Sequence, residues 1–241
     1  MFSIFKKEIS TFFNSLIAYI VIGVFLLITS LMLWMYPSSN VLDYGYAEMT
    51  TFFEFCPYIF LFLIPAVTMR MFSEEFRTGT LELLFTRPIT LWGIISGKYF
   101  ASLAIIILAL FPTLVYYFSI YVLGNPKGNI DSAAVVGSYF GLVLLSAAYA
   151  AIGIFTSAIS KNQVVAFILA AIVCYFFYDG IGQLSNLFSG SLQFYLNYLG
   201  LDFHYASLGK GMLDSRNVVF MISFSALFLI FTQMVLNKIR K

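Results

Sequence analysis

Four stretches of this chain carry no formal charge over a length that no ordinary water-facing segment sustains. Leu16 to Tyr36, Tyr99 to Leu123, Ser132 to Ser160 and Asn217 to Asn237 contain no Asp, Glu, Lys or Arg. Two more, Thr50 to Met69 and Asn162 to Leu184, carry a single acid each, Glu54 near the start of one and Asp179 near the end of the other. A helix needs about 20 apolar residues to cross the hydrocarbon core of a bilayer. Inside that core every backbone N–H and C=O must be satisfied within the protein, which makes such runs helices. The pattern predicts an all-α integral membrane protein with six transmembrane helices. They form one domain over residues 1–241, with spans at about 16–36, 50–69, 99–123, 132–160, 162–184 and 217–237.

Composition agrees. The chain is 61% hydrophobic and 10% charged, where a soluble domain carries about 25% charged residues. The aromatic share of 19% suits a lipid-facing protein with interfacial anchors. A net charge of +2 with scattered bases argues against nucleic acid as a partner. Cys56 and Cys174 fall inside apolar runs and read as packing residues; nothing has metal-ligand spacing. The first apolar run follows Lys6-Lys7-Glu8 and is too long for a cleavable leader, so it reads as the first span.

Lys and Arg placement sets the orientation. With the N-terminus inside, the cytoplasmic side receives Lys6, Lys7, Arg70, Arg77, Arg87, Lys98, Lys161, Lys238, Arg240 and Lys241, against Lys127, Lys210 and Arg216 outside. Both termini and the Arg70–Lys98 loop are therefore expected in the cytoplasm. Phe2, Phe5, Ile9 and Phe12 recur at helical spacing with Lys6, Lys7 and Ser10 on other faces, the pattern of an amphipathic helix lying in the interface. Outside, Pro37-Ser38-Ser39-Asn40 and Gly124-Asn125-Pro126-Lys127-Gly128-Asn129 mark short links. Ser185 to Arg216 is longer and aromatic, and predicts one or two short helices at or dipping into the outer interface before the last span. No internal repeat favours an inverted-repeat transporter.

The Arg70–Lys98 loop concentrates charge, holding four of the thirteen Lys/Arg and three of the eleven Asp/Glu. Ser73 is placed to cap a helix with Glu74 and Glu75 in its first turn. Phe72, Phe76 and Leu83 would share a face, with Arg77, Thr78 and Glu82 elsewhere. Gly79 lets the backbone turn or another chain approach. Pro88 ends the unit, because Arg87 before it is pushed out of helical geometry. Thr90 would cap a second helix carrying Leu91, Trp92 and Ile95 toward Gly97-Lys98. From physics alone this is equally an ordinary polar loop.

The residue order adds to that. Glu74-Glu75-x-Arg77-x-Gly79-Thr80-Leu81-Glu82-x-Leu84-x-x-x-Pro88, followed by Gly97-Lys98, resembles the cytoplasmic loop of ABC-2-type transporter permeases. The six-span plan, the amphipathic N-terminus and the aromatic segment before the last span are similar to that family too. Within it, the short chain without a large insert after span one resembles the gliding-motility-associated permease subunits (GldF type), as does Phe203-His204-Tyr205-Ala206-Ser207-Leu208-Gly209-Lys210-Gly211-Met212-Leu213-Asp214-Ser215-Arg216-Asn217.

The resemblance implies a bacterial inner-membrane permease whose coupling helix, between spans two and three, docks on an ABC ATPase. The implied interface is Phe72, Glu74, Glu75, Phe76, Arg77, Gly79, Thr80, Leu81 and Glu82. It also implies two ATPase subunits binding ATP and Mg, a second permease copy, and an auxiliary membrane-anchored subunit with a periplasmic domain. No Walker A pattern is present, since Gly97-Lys98 runs into Tyr99 and Lys210 into Gly211. This chain is therefore expected to be no enzyme and to hold no cofactor or metal.

Other residues have plainer readings. Glu54 and Asp179 sit near outer ends, where an interfacial or packing role is expected rather than a proton relay. His204 lacks partners for a metal site. Pro57, Pro65 and Pro112 are expected to mark kinks. Gly141, Gly153, Ser146, Ala147, Ala148, Ala150 and Ala151 suit close helix packing. A self-contained channel or secondary transporter would place polar groups at span centres, and an intramembrane enzyme would need a Ser/His, Asp/Asp or zinc-ligand constellation. Neither pattern is present.

Overall fold

The computed structural model describes residues 1–36, 40–86 and 89–240, and leaves out the side chains of Asp43, Tyr44 and Leu83. The Pro37–Ser39 link and the Arg87-Pro88 break expected from the sequence lie outside the described residues. All regular structure among those described is helical. In chain order the helices are α1 Phe2–Phe13, α2 Leu16–Trp34, α3 Val41–Tyr44, α4 Thr50–Thr68, α5 Arg70–Thr78, α6 Leu81–Phe85 and α7 Leu91–Leu110. They continue with α8 Leu114–Leu123, α9 Ser132–Ile159, α10 Gln163–Tyr175, α11 Ile181–Ser185, α12 Ser191–Leu199, α13 Leu201–Leu208 and α14 Ser215–Arg240. Six of these helical units are long and apolar enough to cross a membrane, and this is a multi-pass membrane protein.

The starts of the long helices follow local chemistry. Ser15, Thr90, Asp131 and Asn162 each stand in extended backbone and accept a hydrogen bond from an N–H in the first turn, as N-caps do. Hydroxyls inside the apolar helices fold back onto their own backbone. Thr68, Ser225 and Thr232 donate to Ile64 O, Met221 O and Phe228 O at 2.8–2.9 Å, which removes the cost of an unpaired polar group in hydrocarbon.

One boundary differs from expectation, and two spans are interrupted. The third span begins at Leu91, not Tyr99, because nothing between Thr90 and Leu110 breaks the helix. Pro112 then replaces α-helix by the 3-10 turn Phe111–Thr113 before α8. A π-helical turn, Phe176–Gly180, interrupts the fifth span between α10 and α11.

α9 is the axis of the bundle. Of its membrane-length stretch 78% is buried, against 22% for α2 and for α14, and it packs on α4, α7, α10, α13 and α14. The small residues make this possible. A Cβ on Gly153 would overlap the Thr68 side chain of α4, and one on Gly141 would come within 2.8 Å of Leu208 Cβ. The Gly–Ala row of α9 therefore packs within this chain. α13 lies back along α9, burying Leu201, His204, Tyr205 and Leu208, while α12 buries nothing.

α1 crosses α7 where Gly97 leaves room: a Cβ there would sit 3.1 Å from Ile4 Cβ. α1 buries Ile4 and Phe12 against the protein, while Phe2 is 77% exposed, so the Phe2-Phe5-Ile9-Phe12 stripe is divided between the protein and the surroundings. α1, α5, α6, Lys161 and the end of α14 gather at one end of the bundle; below it is called the charged end.

Candidate coupling site

At the charged end α4 does not stop. Met69 keeps helical angles and the chain runs straight into α5. The join is served from outside by Ser157 of α9, whose hydroxyl accepts from Phe72 N (2.9 Å) and Ser73 N (3.1 Å) and donates to Met69 O (3.0 Å). This corrects the expectation that Ser73 caps α5. The helix starts earlier, the Phe72 and Ser73 N–H groups of its first turn are met by another helix, and the Ser73 hydroxyl turns back to donate to Met69 O. Glu74 and Glu75 thus fall past the first turn.

α5 ends where the sequence places Gly79. Its φ of 69° is left-handed, and Gly79 N donates to Phe76 O (3.4 Å) while Thr80 N donates to Glu75 O (3.1 Å), the paired bonds of a Schellman cap. The chain then turns into α6, so Leu83 belongs to a separate helix from Phe72 and Phe76.

The centre of the site is a cluster of four charges. Lys98 of α7, 1% exposed, places Nζ 2.9 Å from Glu75 Oε1 of α5 and 2.8 Å from Glu8 Oε1 of α1. The same ammonium donates to Met71 O at 2.5 Å and stands 4.9 Å from the Phe72 ring centroid. Lys7 of α1 adds a bond to Glu75 Oε1 at 3.0 Å. Burial pushes the Lys7 pKa down, but Glu75 and Glu8 outweigh that and raise it. Two cations and two anions thus tie three helices together, and because each charge has an opposite neighbour the burial is tolerable. Both lysines use the same Glu75 oxygen; Oε2 is buried with no partner among the described residues. On the flank, Arg70 donates to Ser15 Oγ at 2.9 Å.

The residues marked from the sequence divide in two. Phe72 and Glu75 face inward, Phe72 beneath the lysine and Glu75 within the cluster, and Leu81 is also buried. Arg77, Gly79, Thr80 and Glu82 are exposed, while Glu74 and Phe76 are half-buried. A cleft of about 620 Å3 joins Glu75, Phe76, Gly79, Leu81 and Glu82 to Lys161 and Arg240.

Sequence reasoning missed Glu8, Lys7 and Ser157 as parts of this site and used Lys98 only as a loop-end charge. Lys98 was findable: with no breaker after Thr90 it had to lie inside an apolar helix, where a lysine requires a carboxylate partner. Ser157 carried no such signal.

The family model described as ABC-2 family transporter protein matches residues 2–236. This chain belongs to the ABC-2 transporter family. The match takes in α1 and the whole α5–α6 element, so the charge cluster and the exposed turn beside it are parts of an ABC-2 membrane domain. No curated protein matches the chain. ABC-2 permeases work with a separate ATPase subunit, and the charged end of this ABC-2 protein presents the surface on which α5 and α6 meet solvent.

Proposed function

We propose that this ABC-2 protein is the permease subunit of an ABC transporter and that the exposed α5–α6 turn receives its ATPase. The observation that carries this reading is the anchoring of α5. Lys98 fixes it to α7 and α1, Ser157 fixes it to α9, and α4 continues into it without a break. A push on Arg77–Glu82 is thereby delivered to the second, third and fourth membrane-length helices as one body. Glu74, Arg77, Thr80 and Glu82 supply polar contacts, Phe76 and Leu81 line the adjoining cleft, and Phe72 and Glu75 hold the lever from within.

The fuller assembly we infer is two ATPase subunits carrying ATP and Mg, two copies of this chain, and an auxiliary subunit with a periplasmic domain. It would sit in a bacterial inner membrane with both termini cytoplasmic. The excess of Lys and Arg on one side of the spans supports that orientation. We place the chain with the gliding-motility-associated permeases on the Phe203–Asn217 stretch, rather than with exporters of lipid or polysaccharide.

Co-purification with a co-expressed ABC ATPase subunit from the same genome tests the docking surface. Arg77→Glu and Glu82→Lys together should lower recovery of the ATPase roughly tenfold, the loss expected when a few rim contacts reverse sign. Full recovery with normally coupled hydrolysis would end the assignment. Loss of surface spreading on deletion of the gene tests the gliding role.

A further inference from the structure

The half of the bundle away from the charged end carries the acids Glu48, Glu54, Asp131, Asp179, Asp202 and Asp214 and the cations Lys127, Lys210 and Arg216. Glu54 of α4, Asp179 of the π-helical turn and Asp202 of α13 form no ion pair with Lys, Arg or His among the described residues. Asp179 accepts from Gln183 Nε2 at 2.6 Å. Asp202 accepts from the Tyr178 hydroxyl; burial raises its pKa, that bond lowers it in part, and the charge of Asp179 raises it again. An acid at membrane depth with no counter-charge marks a functional site by default.

Tyrosines surround these acids. Tyr178 meets Tyr58 edge-on at 5.5 Å and Tyr149 at 6.2 Å between ring centroids, and lies 6.4 Å from Tyr205. Tyr149 lies past the midpoint of α9 and is fully buried. Its hydroxyl has no hydrogen-bond partner among the described residues, while its ring meets that of Tyr178. The hydroxyls of Thr68, Tyr205, Ser225 and Thr232, by contrast, each donate to a backbone carbonyl. The π-helical turn that sets Tyr178 and Asp179 side by side is a feature frequent at functional sites.

Tyr58 also forms the wall of a second feature. A groove of about 560 Å3 runs between α2, α4 and α10, lined by Val24, Ile28, Phe55, Tyr58, Phe62 and Phe167 among others, all apolar or aromatic. It descends from Tyr58 toward the charged end. The apolar groove thus reaches, at Tyr58, the neighbour of Tyr178, which Asp179 follows in the π-helical turn.

We propose that this is a binding site for an amphiphile with a positively charged amino head, its alkyl chain in the α2–α4 groove and its ammonium among Tyr58, Tyr178, Asp179 and Asp202. Tyrosine faces and carboxylates both attract an ammonium, most strongly where water is excluded. An anionic head would be repelled by all three acids. The site deepens the permease reading by naming the chemistry of a ligand, yet binding is read without the ATPase, so either reading can fail alone.

The test uses the full-length protein in dodecyl maltoside micelles, mixed with equal amounts of phosphatidylethanolamine and phosphatidylglycerol bearing the same acyl chains. Bound lipid is read by native mass spectrometry. The amine lipid should be retained roughly tenfold over its partner, as an ion pair plus a ring contact would give. The Asp179→Asn/Asp202→Asn double variant should bring the ratio near one, and Asp179→Glu/Asp202→Glu should keep it. A parallel arm compares dodecylammonium with dodecyl sulfate. Preference for dodecylammonium with neither lipid retained would assign the head to a free amine and still support the site. Equal retention of both charge types, or a preference that survives in the Asn variant, would overturn it. So would absence of all binding with Ile28→Cys cross-linking between two copies, which would give the groove to a second permease.

Discussion

Lys98 shows how one side chain decides whether a charged end is a loop or a machine part. Its ammonium satisfies two carboxylates, a carbonyl and an aromatic face from two other helices, α1 and α5. Lys98→Met should cost about 3–5 kcal/mol, because Glu8 and Glu75 are then left with Lys7 alone. Thermal unfolding in detergent can be followed by a thiol-reactive dye, since Cys56 and Cys174 are both buried and free. Adding Glu75→Gln to Lys98→Met should recover part of the loss. Asp202 behaves in the opposite sense. Its carboxyl binds a proton more tightly folded than unfolded, so the ionised form penalises the folded state. That penalty is absent at pH below the ordinary carboxylate range and appears as pH rises through the raised folded value. With no amine added, Asp202→Asn should therefore raise the melting temperature at neutral pH and leave it unchanged in acid.

At the scale of elements, the α4–α5 join matters most. Its backbone is completed by a hydroxyl from a third helix, so α5 keeps its direction from α4 only while α9 is in place. Ser157→Ala should leave Phe72 N and Ser73 N without that acceptor and cost about 1–3 kcal/mol. Hydrogen exchange at Phe72 and Ser73 should rise more than in the middle of α4. Helix starts at Leu16, Leu91, Ser132 and Gln163 were legible because their caps lie next to them in sequence. So was the end of α5 at Gly79. The start of α5 was not, since the group that replaces a cap there comes from 85 positions along the chain.

For the whole molecule, α9 is the column against which the other helices assemble. Gly153→Val should cost about 1–3 kcal/mol through overpacking, because the Thr68 side chain has no other place to go without losing its bond to Ile64 O. The same dye assay reads that loss. Gly23, which has no neighbour within 4 Å, serves as the tolerant control. The sequence by itself determined the number of apolar helices, their approximate limits and the charge-rich segment between the second and third. These follow from hydropathy, caps and breakers, which act over a few residues. Only the tertiary structure decided that Glu75 faces inward, that Lys98 joins it to Glu8, and that Tyr178 of the π-helical turn meets Tyr58 and Tyr149. Those pairings join residues far apart in the chain, and burial at a helix crossing depends on which faces meet there, which local periodicity does not encode.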